Sequence, residues 1–290
     1  MTLINPYAEI DWSRPGLRGN LHAHSTRSDG RAAPQAMLDA YAQAGHGFTM
    51  LSDHDRWLEA EEYAALDARG MILLRGQEVT REGEHLLQVG GTVGVAADED
   101  RQKVIDAISA AGGLAVLNHP NWFREQDHWT QERLMAMHRY AGIEVVTALI
   151  DELDGDRWAF NRWDRLLGHG RRVWGFAHDD AHGVEQVGRA WNVVYPRSND
   201  AAGVLTALAD GRFAASTGLD LGAVTVDDDT VTVNCPGAQR IIAIADWGRR
   251  VAQVDGTSLR ASLPAKATYL RFACLGCGER GVWTQPFFRS

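Results

Sequence analysis

The residues most able to do chemistry stand in two short stretches, Leu21-His22-Ala23-His24-Ser25-Thr26-Arg27-Ser28-Asp29-Gly30 and Leu51-Ser52-Asp53-His54-Asp55. On an extended backbone His22 and His24 point to the same side. A pair of polar rings needs a partner if it is buried. Neutral imidazole nitrogen is a good ligand for zinc, iron and similar ions, so a divalent metal is one answer. A solvated loop that happens to carry two histidines is the other. Asp29, and Asp53-His54 at the next strand end, favour the metal.

These residues need rigid elements behind them. Gly16 to Leu21 and Gly47 to Leu51 are apolar runs of strand length. Between them the spacing predicts a helix, with Pro34 in its first turn, Met37, Leu38 and Tyr41 on one face and Gly45 after its end. The alternation continues with a helix over Trp57 to Arg69, a strand over Met71 to Leu74 that delivers Glu78, and a short strand over Glu84 to Val89 carrying His85. A helix over Glu99 to Ala111 and an apolar run over Leu114 to Leu117 lead to Asn118-His119-Pro120. Helices over Gln131 to Tyr140 and Asp156 to Leu167 alternate with strands over Gly142 to Thr147 and Arg172 to Phe176, the last delivering His178, Asp179, Asp180 and His182. Such alternation predicts a parallel α/β barrel or sheet. After Gly218 it gives way to short strands, among them Val224 to Val233 with a turn at Asp227-Asp228-Asp229. Residues 1–218 are therefore read as the α/β domain and 219–290 as a small antiparallel β domain.

A chain of 290 residues with 45% hydrophobic content can bury one large core, alone or with a small appendage. Its formal charge of −9 and the lack of a basic run argue against a partner that is a nucleic-acid polymer. A small phosphorylated substrate stays open, because metals supply positive charge locally. No run approaches the roughly 18 apolar residues of a membrane span, and residues 1–12 do not read as a signal peptide. Cys235, Cys274 and Cys277 are read as reduced thiols of a cytoplasmic protein rather than a zinc or redox site.

H-x-H-S-T-x-S-D-G followed by S-D-H-D resembles the opening of the PHP (polymerase and histidinol phosphatase) family of metal-dependent phosphoesterases. Gly76-Gln77-Glu78-Val79-Thr80, Glu84-His85, Asn118-His119-Pro120 and Asp179-Asp180-Ala181-His182 follow in family order, and the likeness runs from about Leu17 to Gly218. Trp163 to Leu167, Trp174 to Ala177 and Gly211 to Gly218 look most like the carbaryl-hydrolase-like branch. The resemblance implies a distorted (β/α)7 barrel and a phosphate ester cleaved by metal-bound hydroxide. It implies metal ligands at His22, His24, Asp29, His54, Glu78, His85, His119, Asp180 and His182. One ion would be held by His22, His24, Glu78 and Asp180, a second by Glu78, His85 and His119, and a third by Asp29, His54 and His182. Two or three divalent ions, zinc, manganese or iron, are expected, since mixed nitrogen and oxygen ligands suit all three.

The residue types fit this chemistry in their own right. A carboxylate such as Glu78 can bridge two cations, and paired cations can clamp the attacking and leaving oxygens of a phosphoryl group. Asp179 could exchange roles with Asp180. Asp53 and Asp55 are read as partners that orient ligand imidazoles. His178 is read either as an acid for the leaving group or as a hydrogen-bonded rim residue. Arg124 is read as a phosphate clamp or a surface residue, with Arg27 a weaker candidate for the clamp. His46, His128, His138 and His169 are read as surface or packing residues. Two further functions remain open: an ester or carbamate hydrolase using the same centre, and a non-catalytic metal-bound binding module. Oligomeric state is not readable from the chain.

Overall fold

The computed structural model describes residues 3–123 and 127–290. The opening unit consists of the strand Leu17–Asn20, the helix Pro34–Gln43 and the strand Phe48–Met50, with the two strands parallel. Met37, Leu38 and Tyr41 form the helix's buried face, as apolar residues three and four apart require. The parallel strand Ile72–Leu74 follows. The helix expected over Trp57 to Arg69 is confined to Ala60–Ala64. Glu59 starts it through a reciprocal cap with Glu62, and beyond it Arg69 and Gly70 both take left-handed backbone.

A closed parallel (β/α)7 barrel is not found among the described residues. Two sheets stand in its place. One has eleven strands and includes Leu17–Asn20, Phe48–Met50 and Ile72–Leu74; the other has five, running Gly76–Val79, Leu86–Val89, Leu114–Leu117, Gly142–Thr147 and Trp174–His178. The first three strands of the smaller sheet are antiparallel and only the last three run parallel. The cause is local. Glu78 lies within a strand, and six residues lead from Val79 to the next strand at Leu86, room for a hairpin but not for the helical crossover that a parallel partner needs. The sheets meet at isolated single-residue bridges, His54 to Glu78 and Ala23 to Ala181. Both lie on the histidine- and carboxylate-bearing segments.

The strands after Gly218 are not detached from this body. Gly281–Thr284 pairs with Phe213–Ser216, which pairs with Trp191–Val194 and through it with Leu17–Asn20. The short strand Leu3–Ile4 pairs with Phe287–Arg289. A separate three-stranded sheet, Ala223–Asp227, Thr230–Asn234 and Ser258–Ser262, packs on the outside with its hairpin turn at Asp228-Asp229. All three cysteines are free, Cys235 and Cys274 buried and Cys277 exposed. Among the described residues no helix is long and apolar enough to cross a membrane.

One buried ion pair joins the two regions. Asp164, on the helix Phe160–Gly168, accepts hydrogen bonds from Arg271 Nε (2.8 Å), Arg271 Nη2 (2.7 Å) and Tyr269 Oη (2.7 Å). Removing one partner leaves a buried charge unpaired, so Asp164→Ala is expected to destabilise the protein by about 3–5 kcal/mol in urea unfolding.

His46 is buried against Tyr41 and Trp191. Burial depresses its pKa from 6.5 to about 4. The unfolded chain therefore takes up this proton first as the pH falls, and the folded state loses about 3 kcal/mol between pH 6.5 and 4. His46→Phe should lack that part of the acid loss, read by comparing urea midpoints of the two proteins across this range.

Candidate metal centre

The ligand candidates come from five strand ends and the loops after them. Gly30, in the loop after His24, has room for no side chain, since a Cβ there would lie 2.5 Å from the His24 carbonyl. Asp53 accepts Ser25 N (2.7 Å), Ser25 Oγ (2.8 Å) and Ser28 Oγ (2.7 Å). Asp55 accepts Thr80 N (3.1 Å) and Thr80 Oγ1 (2.9 Å). Both therefore brace loops and do not orient imidazoles, a correction to the expectation from their positions beside His54.

Glu78 lies at the middle. Its Oε2 is 3.3 Å from His22 Nε2, 3.4 Å from His24 Nε2 and 2.9 Å from His54 Nδ1; its Oε1 is 3.3 Å from His85 Nδ1 and 3.3 Å from His119 Nε2. Asp180 Oδ1 lies 3.1 Å from both His22 Nε2 and His24 Nε2. Asp29 faces His54 Nε2 at 3.4 Å and His182 Nε2 at 3.4 Å. All nine candidates thus lie in one continuous network. Asp179, the alternative to Asp180, instead accepts the backbone N–H groups of Gly188, Arg189 and Ala190. Burial pushes its pKa up to about 6 against those bonds.

The charges sort by partner. Burial opposes charge on His22, yet Asp180, Glu78 and Glu144 outweigh it and raise its pKa well above the ordinary imidazole value. For His54, too, burial is outweighed by Asp29 and Glu78, and the pKa rises to about 10. His24 and His85 are pushed down by burial. Burial would raise Glu78, but His22 and His85 hold it well below the usual carboxylate range.

These residues fit divalent ions on a specific observation. Glu78 Oε2 lies 3.3 Å from His22 Nε2 and 2.9 Å from His54 Nδ1, yet none of these three buried atoms makes a hydrogen bond of good geometry. Buried polar atoms rarely go without a partner, and lone pairs on imidazole and carboxylate aimed at a common point are what a cation uses. Groups of donor atoms close enough for an ion are His22, His24 and Asp180; His22, Glu78 and His119; His24, Asp29, His54 and His182; His85, His119 and His128; and His22, Glu144 and His178.

The ligand network opens on a cleft of about 430 Å³. Asp29, His54, Glu78, His85, His119, Asp180 and His182 line it, together with Arg31, Trp122, Leu149, Ile150 and Glu152. Arg31 pairs with Glu185. Arg124 lies outside the described residues. Arg27 turns away toward Glu62, 3.8 Å distant.

His178 does not reach the cleft. Its ring is fully buried and its Nδ1 donates to Glu144 Oε1 at 2.7 Å. The expectation that it protonates a leaving group is corrected accordingly. Strand alternation placed it beside Asp180, but Asp180 has a left-handed backbone, φ 56°, which breaks that alternation.

Two residues lie beside the centre that the sequence does not mark as part of it, Glu144, which it leaves unassigned, and His128, which it reads as a surface or packing residue. Glu144 is buried within an apolar strand and faces His22 and His178; a charge inside such a strand is the signal that was there to find. His128 packs against His85 and His119, at centroid distances of 4.6 and 4.7 Å, and its Nε2 accepts the His85 N–H at 2.7 Å. Burial, with His119 and His85 beside it, drives its pKa down to about 2. No motif marks it.

No family model matches this chain, and no curated protein does. Solved structures do. A two-domain protein of Bacteroides vulgatus, described as containing a predicted PHP-like metal-dependent phosphoesterase, aligns with a TM-score of 0.57 over 97% of this chain and 88% of its own, at 14% identity. The fold is PHP-like. A candidate metal-dependent phosphoesterase of Bifidobacterium adolescentis aligns with a TM-score of 0.46 at 16% identity, covering 59% of this chain and 90% of its own. A lesion-specific endonuclease of Pyrococcus furiosus aligns at 0.45 and 13%, covering 67% and 56%. At these identities the PHP-like likeness concerns fold alone, and none of the matches supports the carbaryl-hydrolase-like branch.

Glu78→Gln keeps the shape of the central side chain but removes its charge. Elemental analysis should show wild-type protein with two or three divalent ions per chain and the variant with at least one fewer, with unchanged far-ultraviolet circular dichroism.

Proposed function

We propose that this chain is a metal-dependent phosphoesterase acting on a small phosphorylated molecule. The observation that carries the reading is Glu78, one carboxylate facing His22, His24 and His54 from one oxygen and His85 and His119 from the other at the floor of a cleft. That is the arrangement a bridging ligand between two cations requires. His22, His24, Glu78 and Asp180 would hold one ion, Glu78, His85 and His119 a second, and Asp29, His54 and His182 a third, with zinc, manganese or iron as candidates. Divalent ions supply a water of lowered pKa and neutralise charge that builds up on phosphoryl oxygens.

The remaining residues bind and orient. Arg31 offers a guanidinium on the cleft lining, suited to a phosphate oxygen beyond the reach of the ligand network. Arg124 is proposed for a similar contact on the sequence alone. Trp122, Leu149 and Ile150 form an apolar wall against which the ester's organic group lies and from which water is excluded. A cleft of about 430 Å³ in a chain of net charge −9 suits a metabolite-sized ester better than a duplex.

The test is turnover of p-nitrophenyl phosphate, bis-p-nitrophenyl phosphate, p-nitrophenyl acetate and an aryl carbamate, with manganese, iron and zinc supplied in turn. Metal-dependent release from a phosphate ester, abolished by chelator, is expected. Turnover of the acetate or carbamate alone would move the reaction to carbon, and bound metal without turnover of any ester would favour a binding module. Arg31→Ala should raise KM for the phosphate ester about tenfold with kcat little changed, as loss of a ground-state contact worth about 1.5 kcal/mol does.

A further inference from the structure

Glu144 lies on the strand Gly142–Thr147 with no solvent exposure. A carboxylate has about four acceptor positions, and here four donors occupy them. Oε1 accepts His22 Nδ1 at 2.6 Å and His178 Nδ1 at 2.7 Å; Oε2 accepts His119 N at 2.6 Å and Thr147 Oγ1 at 2.8 Å. Three of these donors belong to segments at or beside the proposed ligand network. We infer that Glu144 is the positioning residue of the metal centre, fixing His22 and His119 for metal binding and holding His178 as a strut between strands.

Each bond has a definite consequence. With a metal bound the His22 ring would be neutral and keep one N–H, so donation from Nδ1 would leave the lone pair on Nε2, the atom facing Glu78 and Asp180. Without Glu144 the ring could take the other tautomer or turn about its bond to Cβ. His119 has φ 28°, a conformation that an L residue enters at a cost. Its N–H, directed to Glu144 Oε2, secures that turn and with it the direction of the His119 ring. His178 is held at Nδ1 by the same carboxylate, which leaves Nε2 without a proton to donate; Nε2 is also buried and unpartnered. Asp29, His54 and His182 make no contact with Glu144, so the inference separates the centre into a part that depends on this residue and a part that does not.

The inference rests on the proposed metal centre and is independent of which ester is cleaved. The test is zinc affinity by chelator competition, with the visible spectrum of the cobalt-loaded protein as a second readout. Glu144→Gln keeps the shape but cannot accept four donors, since one of its two terminal atoms is itself a donor. One class of sites in the variant should weaken about 10–100-fold with an altered cobalt spectrum, while another class keeps wild-type affinity. Asp29→Asn should weaken the complementary class. Wild-type affinity and spectrum in folded Glu144→Gln would overturn the inference and leave the proposed function standing. Equal weakening of all classes would overturn it as well, because that is collapse rather than positioning. Wild-type protein that binds no metal would instead overturn the reading beneath it. If Glu144→Gln does not fold, Thr147→Val keeps the charge and removes one of the four donors. Several-fold weaker zinc binding at an unchanged melting temperature would support the inference, and unchanged binding would overturn it.

Discussion

Glu78 is a fully charged group in a place where charge is expensive. Its carboxylate is buried, and imidazole nitrogens of five histidines lie within 3.4 Å of it. Desolvating a carboxylate costs several kcal/mol unless opposite charge or hydrogen bonds compensate. Much of the surrounding architecture is compensation of that kind. Asn118 donates to Glu78 Oε1 at 2.7 Å, and the backbone bridge between His54 and Glu78 ties the two sheets together at this residue. The split between the sheets and the ligand network coincide.

Some of the chain's backbone strain falls in the same place. His119, Asp180 and Asp55 all take positive φ, each at a cost that persists only where neighbouring contacts hold it. Asp55 is held by Thr80 and Arg81, and His119 by Glu144. The buried carboxylates at the site thus fall into two groups. Glu78 and Asp180 face the cleft, whereas Asp53, Asp179 and Glu144 take hydrogen bonds from segments that carry or adjoin the candidate ligands.

What was legible in the sequence was local. H-x-H, S-D-G and S-D-H-D depend on neighbouring residues and one strand end, and Pro34 and Gly45 punctuate a helix whose buried face the sequence also showed. Asp180 was distinguishable from Asp179 only by spacing, and the structure separates them by partner. The sheet pairing was less legible, because period-two alternation reports which face is buried and not which strand lies alongside. The antiparallel course through Glu78 and His85 therefore read as part of a parallel barrel. The places of Glu144 and His128 beside the centre were not legible, because their partners stand 122 and 43 positions away. His178 was misread because strand alternation was extended past the point where Asp180 turns the chain.

The role proposed for this lattice of imidazoles and carboxylates is to hold cations. Anomalous diffraction from crystals grown with manganese or zinc tests it most directly. The account predicts at least two peaks, both bonded to the Glu78 carboxylate at metal-ligand distances of roughly 2.0–2.2 Å, one reaching His22 and the other His119. Data showing Glu78 and its histidines hydrogen-bonded to one another or to water, with no anomalous peak in the cleft at millimolar metal, would contradict it.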